Sequence, residues 1–382
     1  MIRSAFLVGC LFSLAVFLAV PASANPAQPL PLHVDGTNIV NSRGETVWLR
    51  GVNTPSLEWS STGEGHILKT VDTAIRDWKV NIIRLPLAQD RWFGKGPEQS
   101  DGGAGYRALV ESIVDRCSTN SCYVLLDLQW SDGGQWGTNI AMHPMPDLNS
   151  LEFWKDCAAK FRNHPAVMFD LYNEPRDVSW DVWQRGGTIA DHTGGRKQEP
   201  PRQYEAVGMQ TLLDAIRAQG ATNLVVAGGL DWAYDFSGIL NGRGLVDTNG
   251  AGVVYANHAY NNKGDSAARW ISKMEKAAAQ LPVIVSEFGG SGGTNRHAGR
   301  FAHPETTPNG DDWLLHVMQA LQDHRWSWIA WDLHPFAGPC LVSDWNYTPT
   351  PDFGVFVKQA LADQLPRYTP PPPMPVTAPA KP

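Results

Sequence analysis

The feature that most constrains the fold is a regular alternation between short apolar runs and longer helical stretches. Eight runs rich in Val, Ile and Leu occur near residues 47–52, 81–85, 123–128, 167–172, 224–227, 253–256, 283–286 and 327–331. Such runs are typical of parallel strands that are buried on both faces. Eight of them alternating with helices predict an α/β fold, the (β/α)8 TIM barrel. The pattern alone also allows a doubly wound open sheet, but no Gly-rich phosphate loop follows the first run.

Turn residues divide the chain further. Residues 32–47 predict a short N-terminal β-hairpin, with His33-Val34-Asp35-Gly36 followed by Ile39-Val40 and then by a turn at Asn41-Ser42-Arg43-Gly44. Helices are predicted between the strands, for example over residues 151–162, where Pro165 discourages continuation. Another is predicted over residues 202–218 and stops at Gly220.

The N-terminal residues predict export. Arg3 precedes an almost wholly apolar run over residues 5–20, and Ala22-Ser23-Ala24 has the small-x-small pattern of a signal-peptidase site. A membrane anchor is the alternative, but no positive charge flanks the far end of the run, which favours cleavage after Ala24. Cys10 lies too near the start for a lipoprotein signal. We therefore expect a signal peptide over residues 1–24 and a secreted or periplasmic product without a membrane partner.

The remaining chain divides into a barrel and a tail. Residues 25–365 form the predicted catalytic domain, and the proline-rich residues 366–382 predict an extended, disordered tail. The net charge of −7 is mild and lacks a basic stripe, which argues against nucleic acid as a partner. Sixteen Trp residues suggest rings exposed in a cleft, where sugar faces can pack on them. A monomer without a cofactor or a metal ion is expected.

Four cysteines follow the predicted cleavage site. Cys117 and Cys122 bracket a Ser-Thr-Asn-Ser loop, which predicts a local disulfide in an oxidising compartment. A metal site would need a second close pair or a nearby His, and the sequence offers neither there. Cys157 and Cys340 lie far apart, so the sequence leaves their pairing open.

Polar or aromatic residues stand at the ends of nearly all the predicted strands, where a barrel places its active site. They are Arg84, Asp127, Gln129, Trp130, Asn173, Glu174, His258, Tyr260, Glu287 and Trp331. Each alone has a structural explanation, such as an ion pair for Arg84 or core packing for Trp331. Their convergence on one rim predicts a functional site.

Two of these residues could cleave a glycosidic bond. That reaction needs one carboxyl group that protonates the departing oxygen and another that attacks or stabilises the cationic carbon. Glu174 and Glu287 end the fourth and seventh predicted strands on the same face. These strands lie across the lumen of a closed barrel, so the two side chains can face each other over a sugar ring.

Six segments, in order, carry a resemblance to a known family. They are Leu49-Arg50-Gly51-Val52-Asn53, Asn81-Ile82-Ile83-Arg84-Leu85-Pro86, Asp170-Leu171-Tyr172-Asn173-Glu174-Pro175, Tyr255-Ala256-Asn257-His258-Ala259-Tyr260, Val285-Ser286-Glu287-Phe288-Gly289 and Trp328-Ile329-Ala330-Trp331. Together they resemble the cellulase-type enzymes of glycoside hydrolase family 5. The resemblance implies a retaining glycoside hydrolase acting on a β-linked polysaccharide, most simply an endo-β-1,4-glucanase.

The resemblance also implies a role for each site residue. Glu174 would be the general acid/base, which requires a raised pKa, and Glu287 the nucleophile. Arg84 would keep Glu287 ionised, and Tyr260 would orient it. The remaining members of the expected substrate site are Asn173 at the sugar 2-hydroxyl, His258 beside the acid/base, Trp331 under the sugar, and Gln129 and Trp130. Further sugar platforms are expected among Trp59, Trp92, Trp136 and Trp232.

One position departs from the family pattern. The family usually has Asp-x-His at the end of strand three, whereas this chain has Asp127-Leu128-Gln129. Gln keeps a donor and an acceptor but cannot carry charge. The expectation is a tolerated substitution; a shifted substrate preference, or weaker activity partly compensated by His143, are the alternatives.

Two other functions remain open from the sequence. β-Mannanases, β-1,3-glucanases, xyloglucanases and glycolipid-cleaving enzymes share the same resemblance, and subsite contacts alone separate them. A carbohydrate-binding barrel without catalysis is the alternative of another class, and the presence of both Glu174 and Glu287 argues against it. The sequence does not distinguish endo from exo action.

Overall fold

The structure is a computed structural model that describes residues 28–193, 200–290, 313–351 and 353–367. The predicted signal peptide, its cleavage site and all but the first two residues of the predicted tail lie outside these ranges. None of the described helices is both long enough and apolar enough to cross a bilayer.

Twelve strands and ten α-helices occur in these ranges. The strands are β1 (Leu32–Asp35), β2 (Asn38–Asn41), β3 (Arg50–Asn53), β4 (Ile82–Ala88), β5 (Tyr123–Trp130), β6 (Val167–Asp170), β7 (Gly186–Asp191), β8 (Arg202–Val207), β9 (Val225–Gly228), β10 (Val253–Tyr260), β11 (Val283–Gly289) and β12 (Ser327–Ala330). The helices are α1 (Ile67–Arg76), α2 (Gln89–Trp92), α3 (Ala104–Ser118), α4 (Leu148–Lys160), α5 (Trp180–Arg185), α6 (Met209–Ala218), α7 (Leu230–Ala233), α8 (Ala267–Ala278), α9 (Trp313–Asp323) and α10 (Phe353–Leu361).

The predicted barrel is confirmed. Eight parallel strands close in the order β3-β4-β5-β6-β9-β10-β11-β12, and each of the eight predicted apolar runs supplies one of them. Gly51 permits close contact at the first pair, because a Cβ there would lie 1.9 Å from the Ile82 carbonyl oxygen. The carboxyl ends of all eight strands therefore point to one rim.

The core has two parts. One lies between the strands and the surrounding helices, and the other fills the barrel interior. The predicted hairpin β1–β2 forms an antiparallel pair, and its Leu32 and Ile39 pack onto the interior cluster. This hairpin covers the end of the barrel opposite the strand carboxyl ends.

The helix predicted over residues 202–218 is partly wrong. Its first part, Arg202–Val207, is strand β8, paired antiparallel with β7, and helix α6 starts only at Met209. The side chains of Tyr204 and Ala206 are buried while that of Glu205 is exposed, which is the period of two expected of a strand. Gly208 separates the two elements.

The disulfide predicted between Cys117 and Cys122 is absent. Both are buried free thiols, as are Cys157 and Cys340. The Cys122 amide donates to the Cys117 carbonyl at 3.0 Å, and its thiol donates to the Tyr123 carbonyl at 3.4 Å. Backbone hydrogen bonds therefore close this loop without a covalent link.

Candidate active site

A single guanidinium lies at the centre of the rim. Arg84 on β4 is fully buried and donates from Nη1 to Glu287 Oε1 at 2.7 Å, from Nε to Asp170 Oδ2 at 2.9 Å and from Nη2 to Asn173 Oδ1 at 2.8 Å. Its Nη2 also lies 3.0 Å from Asp127 Oδ1. Burial opposes the charge on Arg84, but the surrounding carboxylates raise its pKa.

Glu287 accepts hydrogen bonds at both of its oxygens. Besides the bond from Arg84 to Oε1, Tyr260 donates its hydroxyl to Oε2 at 2.7 Å. His258 Nδ1 lies 3.4 Å from the same Oε2. The carboxylate is almost fully buried, so these contacts fix its orientation.

Glu174 occupies a different environment. It lies four residues after β6, and its Oε1 is 3.0 Å from His258 Nδ1. Burial raises the Glu174 pKa to about 7, although the cations Arg176, Arg84 and Lys263 act in the opposite direction. Burial thus supplies the raised pKa that the expected role of Glu174 requires.

His258 bridges the two carboxylates. Burial lowers its pKa to about 3, with Arg84 and Lys263 acting in the same direction. The ring is therefore neutral, and its Nε2 lies 3.0 Å from the Ser286 hydroxyl. Oxygens of Glu174 and Glu287 lie within 4.8 Å of each other. The two carboxyl groups are therefore close enough to act on the same bond.

The same three side chains form the one group in the described ranges with the spacing of a metal site. Both oxygens of Glu287 already accept from Arg84 and Tyr260, and both ring nitrogens of His258 have partners. A cation would have to displace the contact between His258 and Glu174.

The structure brings the remaining predicted residues to the same rim. Gln129 is buried and accepts from Arg84 Nη1 at 3.4 Å, while the Asn173 amide nitrogen lies 3.2 Å from the Met142 sulfur. Trp331 lines the cleft. Trp130 is half-buried at the end of β5, with its ring 6.3 Å from that of Trp59.

The rim holds a cleft of about 690 Å³, and the predicted residues that line it are Gln129, Asn173, Glu174, Tyr260, Glu287 and Trp331. Its far wall contains Trp232, whose ring lies 4.4 Å from Lys263 Nζ. Trp232 is 36% exposed and stands in a run of three residues with φ of 57–59°. Such conformations are costly for side chains other than Gly and concentrate at functional sites.

Two predicted contributors lie elsewhere. Trp92 is fully buried and donates from its indole nitrogen to Asp156 at 2.6 Å, so it packs in the core and is no sugar platform. His143 is also buried, with Nδ1 2.7 Å from Asp191 and Nε2 2.7 Å from the Asn139 carbonyl. Both of its nitrogens are engaged, so it cannot replace the family's His at position 129.

A protein-family comparison decides the classification. The model described as "Cellulase (glycosyl hydrolase family 5)" matches residues 40–337. The chain belongs to glycosyl hydrolase family 5. Among curated relatives of this family 5 chain, Endoglucanase MaCel5A of Microbulbifer sp. (strain ALW1) is 24% identical over 87% of the chain and 58% of that protein. Endoglucanase Z of Dickeya dadantii (strain 3937) is 25% identical over 77% and 61%. The chain thus spans about six tenths of these relatives' length.

Solved structures confirm the fold of the family 5 chain. The β-glucanase SdGluc5_26A from Saccharophagus degradans, in complex with cellotetraose, matches with a TM-score of 0.66 at 21% identity, covering 91% of this chain and 98% of that one. The catalytic domain of a mannanase from Streptomyces sp. SirexAA-E matches with a TM-score of 0.61 at 19% identity, covering 92% and 94%.

Sequence reasoning missed several buried polar residues of this family 5 site. Asn53 accepts from Arg84 Nη1 at 3.1 Å, and Asp170 shares the same guanidinium. Glu58 accepts from the Ser56 amide, and burial raises its pKa to about 8. Burial also raises the pKa of Asp332 well above its usual range. For Asn53, Asp170 and Asp332, the available signal was a polar residue within or next to an otherwise apolar strand.

Proposed function

We propose that this family 5 chain is a retaining β-glycoside hydrolase, with Glu287 as nucleophile and Glu174 as general acid/base. The observation that carries the proposal is the unequal pair of facing carboxyl groups. Glu287 accepts from Arg84 and Tyr260, whereas burial raises the Glu174 pKa to about 7. Two carboxyl groups whose environments differ in this way divide acid and nucleophile between them.

In the first step, a Glu287 oxygen attacks the anomeric carbon while Glu174 gives its proton to the departing glycosidic oxygen. The bond to the leaving sugar breaks, and a covalent glycosyl-enzyme forms. In the second step, Glu174 takes a proton from water, which attacks the same carbon and releases Glu287. Net retention at the anomeric carbon follows from two inversions.

The other rim residues are proposed to bind the sugar. Asn173, whose amide oxygen is held by Arg84, would offer its nitrogen to the 2-hydroxyl, and His258 would keep Glu174 in position. Trp331 would form the floor under the sugar. Gln129 and Trp130 would contact neighbouring hydroxyls and ring faces.

We infer that the substrate is a β-1,4-glucan cut within the chain. An open, aromatic-lined cleft suits a polymer, and the curated relatives named above are endoglucanases. Secretion is part of the proposal and rests on the sequence of residues 1–24, while the lack of a basic stripe supports a polysaccharide partner over nucleic acid; a monomer is expected.

A panel of soluble polysaccharides assayed for new reducing ends tests the substrate. We expect the highest rate on a soluble β-1,4-glucan, with a rapid fall in viscosity as the mark of internal cleavage. A higher rate on mannan or on a β-1,3-glucan would reassign the specificity. If the protein cleaves no β-glycan, the function that remains is that of a carbohydrate-binding barrel without catalysis.

Chemical rescue tests the two roles. Glu174→Gln and Glu287→Gln should each nearly abolish hydrolysis with an unchanged circular dichroism spectrum. Azide should restore turnover to Glu287→Gly and give the α-glycosyl azide, because it enters from the face that the missing nucleophile occupied. Recovery of the β-azide from this variant would reverse the assignment.

A further inference from the structure

A methionine stands beside the amide of Asn173 and has no part in the mechanism above. Met142 lies in the loop after β5 and lines the cleft. Its sulfur accepts from the Asn173 amide nitrogen at 3.2 Å, and this is the nitrogen that is proposed to meet the sugar 2-hydroxyl. A thioether sulfur is a weak acceptor, so the contact yields readily to a sugar hydroxyl.

Hydrogen bonds hold both partners of this contact in place. Arg84 Nη2 donates to the Asn173 amide oxygen at 2.8 Å, which turns the amide nitrogen toward Met142. On the other side, Arg176 donates to the carbonyl oxygens of Met142 and His143, to the latter at 2.9 Å. The loop therefore keeps the Met142 backbone beside Asn173.

Met142 differs from the other methionines in its exposure. Two of the eight methionines, Met1 and Met374, lie outside the described ranges. Among the rest, Met142 alone is not buried; the buried ones are Met145, Met168, Met209, Met274 and Met318. The described cysteines are buried free thiols as well. Since oxidation of sulfur side chains follows exposure, a small oxidant that enters the cleft would react with Met142 before these other sulfurs.

We propose that Met142 is an oxidation site that switches off sugar binding at Asn173, with hydrogen peroxide as the oxidant. The sulfur attacks one peroxide oxygen, the O–O bond breaks, and the proton of the transferred oxygen passes to the departing hydroxide, which leaves as water. The sulfur is oxidised by two electrons to a sulfoxide, and the peroxide is reduced by two. The inference rests on the proposed function, because that function assigns Asn173 to the sugar.

The sulfoxide oxygen changes what the Asn173 amide can bind. It is a polar acceptor in place of a weakly accepting sulfur. The sulfur already lies 3.2 Å from the amide nitrogen, so the added oxygen has no room between the two atoms and projects into the cleft beside them. There it competes for the N–H groups that the sugar 2-hydroxyl needs. Oxidation of Met142 therefore weakens sugar binding and slows the reaction.

Peroxide treatment tests the switch. Addition of one oxygen atom to the Met142 peptide, followed by mass spectrometry, should accompany a fall of about tenfold in kcat/KM on a soluble β-1,4-glucan. That factor is about 1.4 kcal/mol, which is typical of one lost hydrogen bond. Met142→Leu keeps the size of the side chain without its sulfur, so peroxide should not change the activity that this variant has before treatment. Met374→Leu is the matched control and should lose activity as the wild type does.

Met142→Gln imitates the oxidised side chain without peroxide, because its amide oxygen is an acceptor on a side chain of similar length. This variant should show the loss before any treatment, with an unchanged circular dichroism spectrum. Peroxide inactivation that persists in Met142→Leu would overturn the switch. So would a Met142→Gln protein that is as active as Met142→Leu.

Binding measurements separate this inference from the proposed function. Calorimetry with the Glu287→Gln protein should show weaker cellotriose binding after peroxide treatment, and peroxide should have no effect on binding once Met142→Leu is added. Equal affinities before and after complete oxidation of Met142 would overturn the switch. If the wild-type chain cleaves no β-glucan, the proposed function fails, and the loss of affinity on oxidation of Met142 alone decides the switch.

Discussion

At the residue scale, the site depends on the shape of one side chain. The Arg84 guanidinium presents a planar fork to Glu287, Asp170 and Asn173 at the same time. A Lys ammonium is a compact point charge and could not satisfy partners in three directions. The charge of Arg84 also compensates carboxylates that would otherwise be buried without a counterion.

The Lys263 charge near Glu174 predicts a change in the pH dependence of kcat/KM. The proposed mechanism needs Glu174 protonated, and its pKa is raised to about 7, so kcat/KM should fall as the pH rises through about 7. Lys263 lowers that pKa without contacting the carboxyl group. In Lys263→Met the alkaline limb should therefore move upward by roughly half a unit, less than the 1–3 units of a contact pair.

A matched substitution shows whether that effect is local. Lys155 is an exposed lysine on α4 that pairs with Glu152, so Lys155→Met removes the same charge away from the cleft. Its pH profile should coincide with that of the wild type. A downward shift of the limb in Lys263→Met would mean that Glu174 is not the titrating acid.

Gln129 is the residue where this chain departs from its family. Its side chain lies on the cleft and meets Arg84 only through a long 3.4 Å contact, so little else depends on it. Gln129→His should change the rate on the best β-glucan by less than about tenfold, or about 1.4 kcal/mol of barrier. A far larger gain, or a change of preferred polysaccharide in the same panel, would show that Gln129 sets the specificity.

The sequence predicted the residues of the rim better than the residues beneath it. Arg84 and Glu287 lie within the apolar strands β4 and β11, and Glu174 follows β6. The positions of these strands follow from the hydrophobic pattern alone. Glu58 lies in a loop where local pattern says nothing about burial, so its position depends on contacts made only after folding. The prediction for Trp92 was wrong for the same reason, because the residues around it do not distinguish a ring in the core from a ring in the cleft.

At the scale of elements, the strands of the barrel were predictable and the antiparallel pair β7–β8 was not. A strand buried on both faces reads as one apolar run, whereas β8 is a strand of mixed burial followed at once by α6. Its pattern merges with that of the helix when only apolar residues are counted. The strand assignment became clear from its pairing with β7.

The β7–β8 pair is anchored to the loop after β5 through the Tyr204 hydroxyl. Tyr204 donates to the Met145 carbonyl at 2.6 Å and accepts from the Met145 amide at 3.0 Å. Tyr204→Phe would leave both buried backbone groups without a partner, so the free energy of unfolding should fall by about 1–3 kcal/mol in urea titrations. Tyr123→Phe, which removes a single bond to the Leu30 carbonyl, should cost less. Equal costs would mean that the Tyr204 hydroxyl does not anchor the β7–β8 pair.

At the scale of the whole molecule, the barrel carries several buried acids besides Glu174 and Glu287. Burial raises the pKa of Glu58 to about 8 and that of Asp132 to about 9. A carboxyl group with a raised pKa binds more protons in the folded state than in the unfolded chain. Its contribution therefore makes the protein less stable as the pH rises from about 4 toward that pKa.

Asp90 gives the most direct test of how a buried carboxyl group lowers the stability of the fold as the pH rises. It is fully buried, its Oδ1 accepts from the Gly137 amide, and its Oδ2 has no hydrogen-bond donor in the described chain. Its carboxyl group lies within hydrogen-bonding reach of Asp132, and burial raises the pKa of both. At low pH a shared proton can join the two groups, whereas at high pH they repel each other across a site that water does not reach.

Asp90→Asn replaces that proton with a permanent donor. The Asn carbonyl can keep the Gly137 bond while its amide nitrogen faces Asp132, so the variant should exceed the wild type in free energy of unfolding at pH 8. At pH 5 the difference should shrink, because the folded wild-type pair keeps a proton that the unfolded chain loses, and the cost of keeping it grows as the pH rises toward the raised pKa values. Urea unfolding at pH 5 and at pH 8 measures the difference in free energy of unfolding at each pH. Asp35→Asn, an exposed position on β1, should show no such pH-dependent gain. A gain of equal size at pH 5 and pH 8 would locate the effect in packing, and a loss at both would mean that the Asp90 carboxylate is needed as an acceptor.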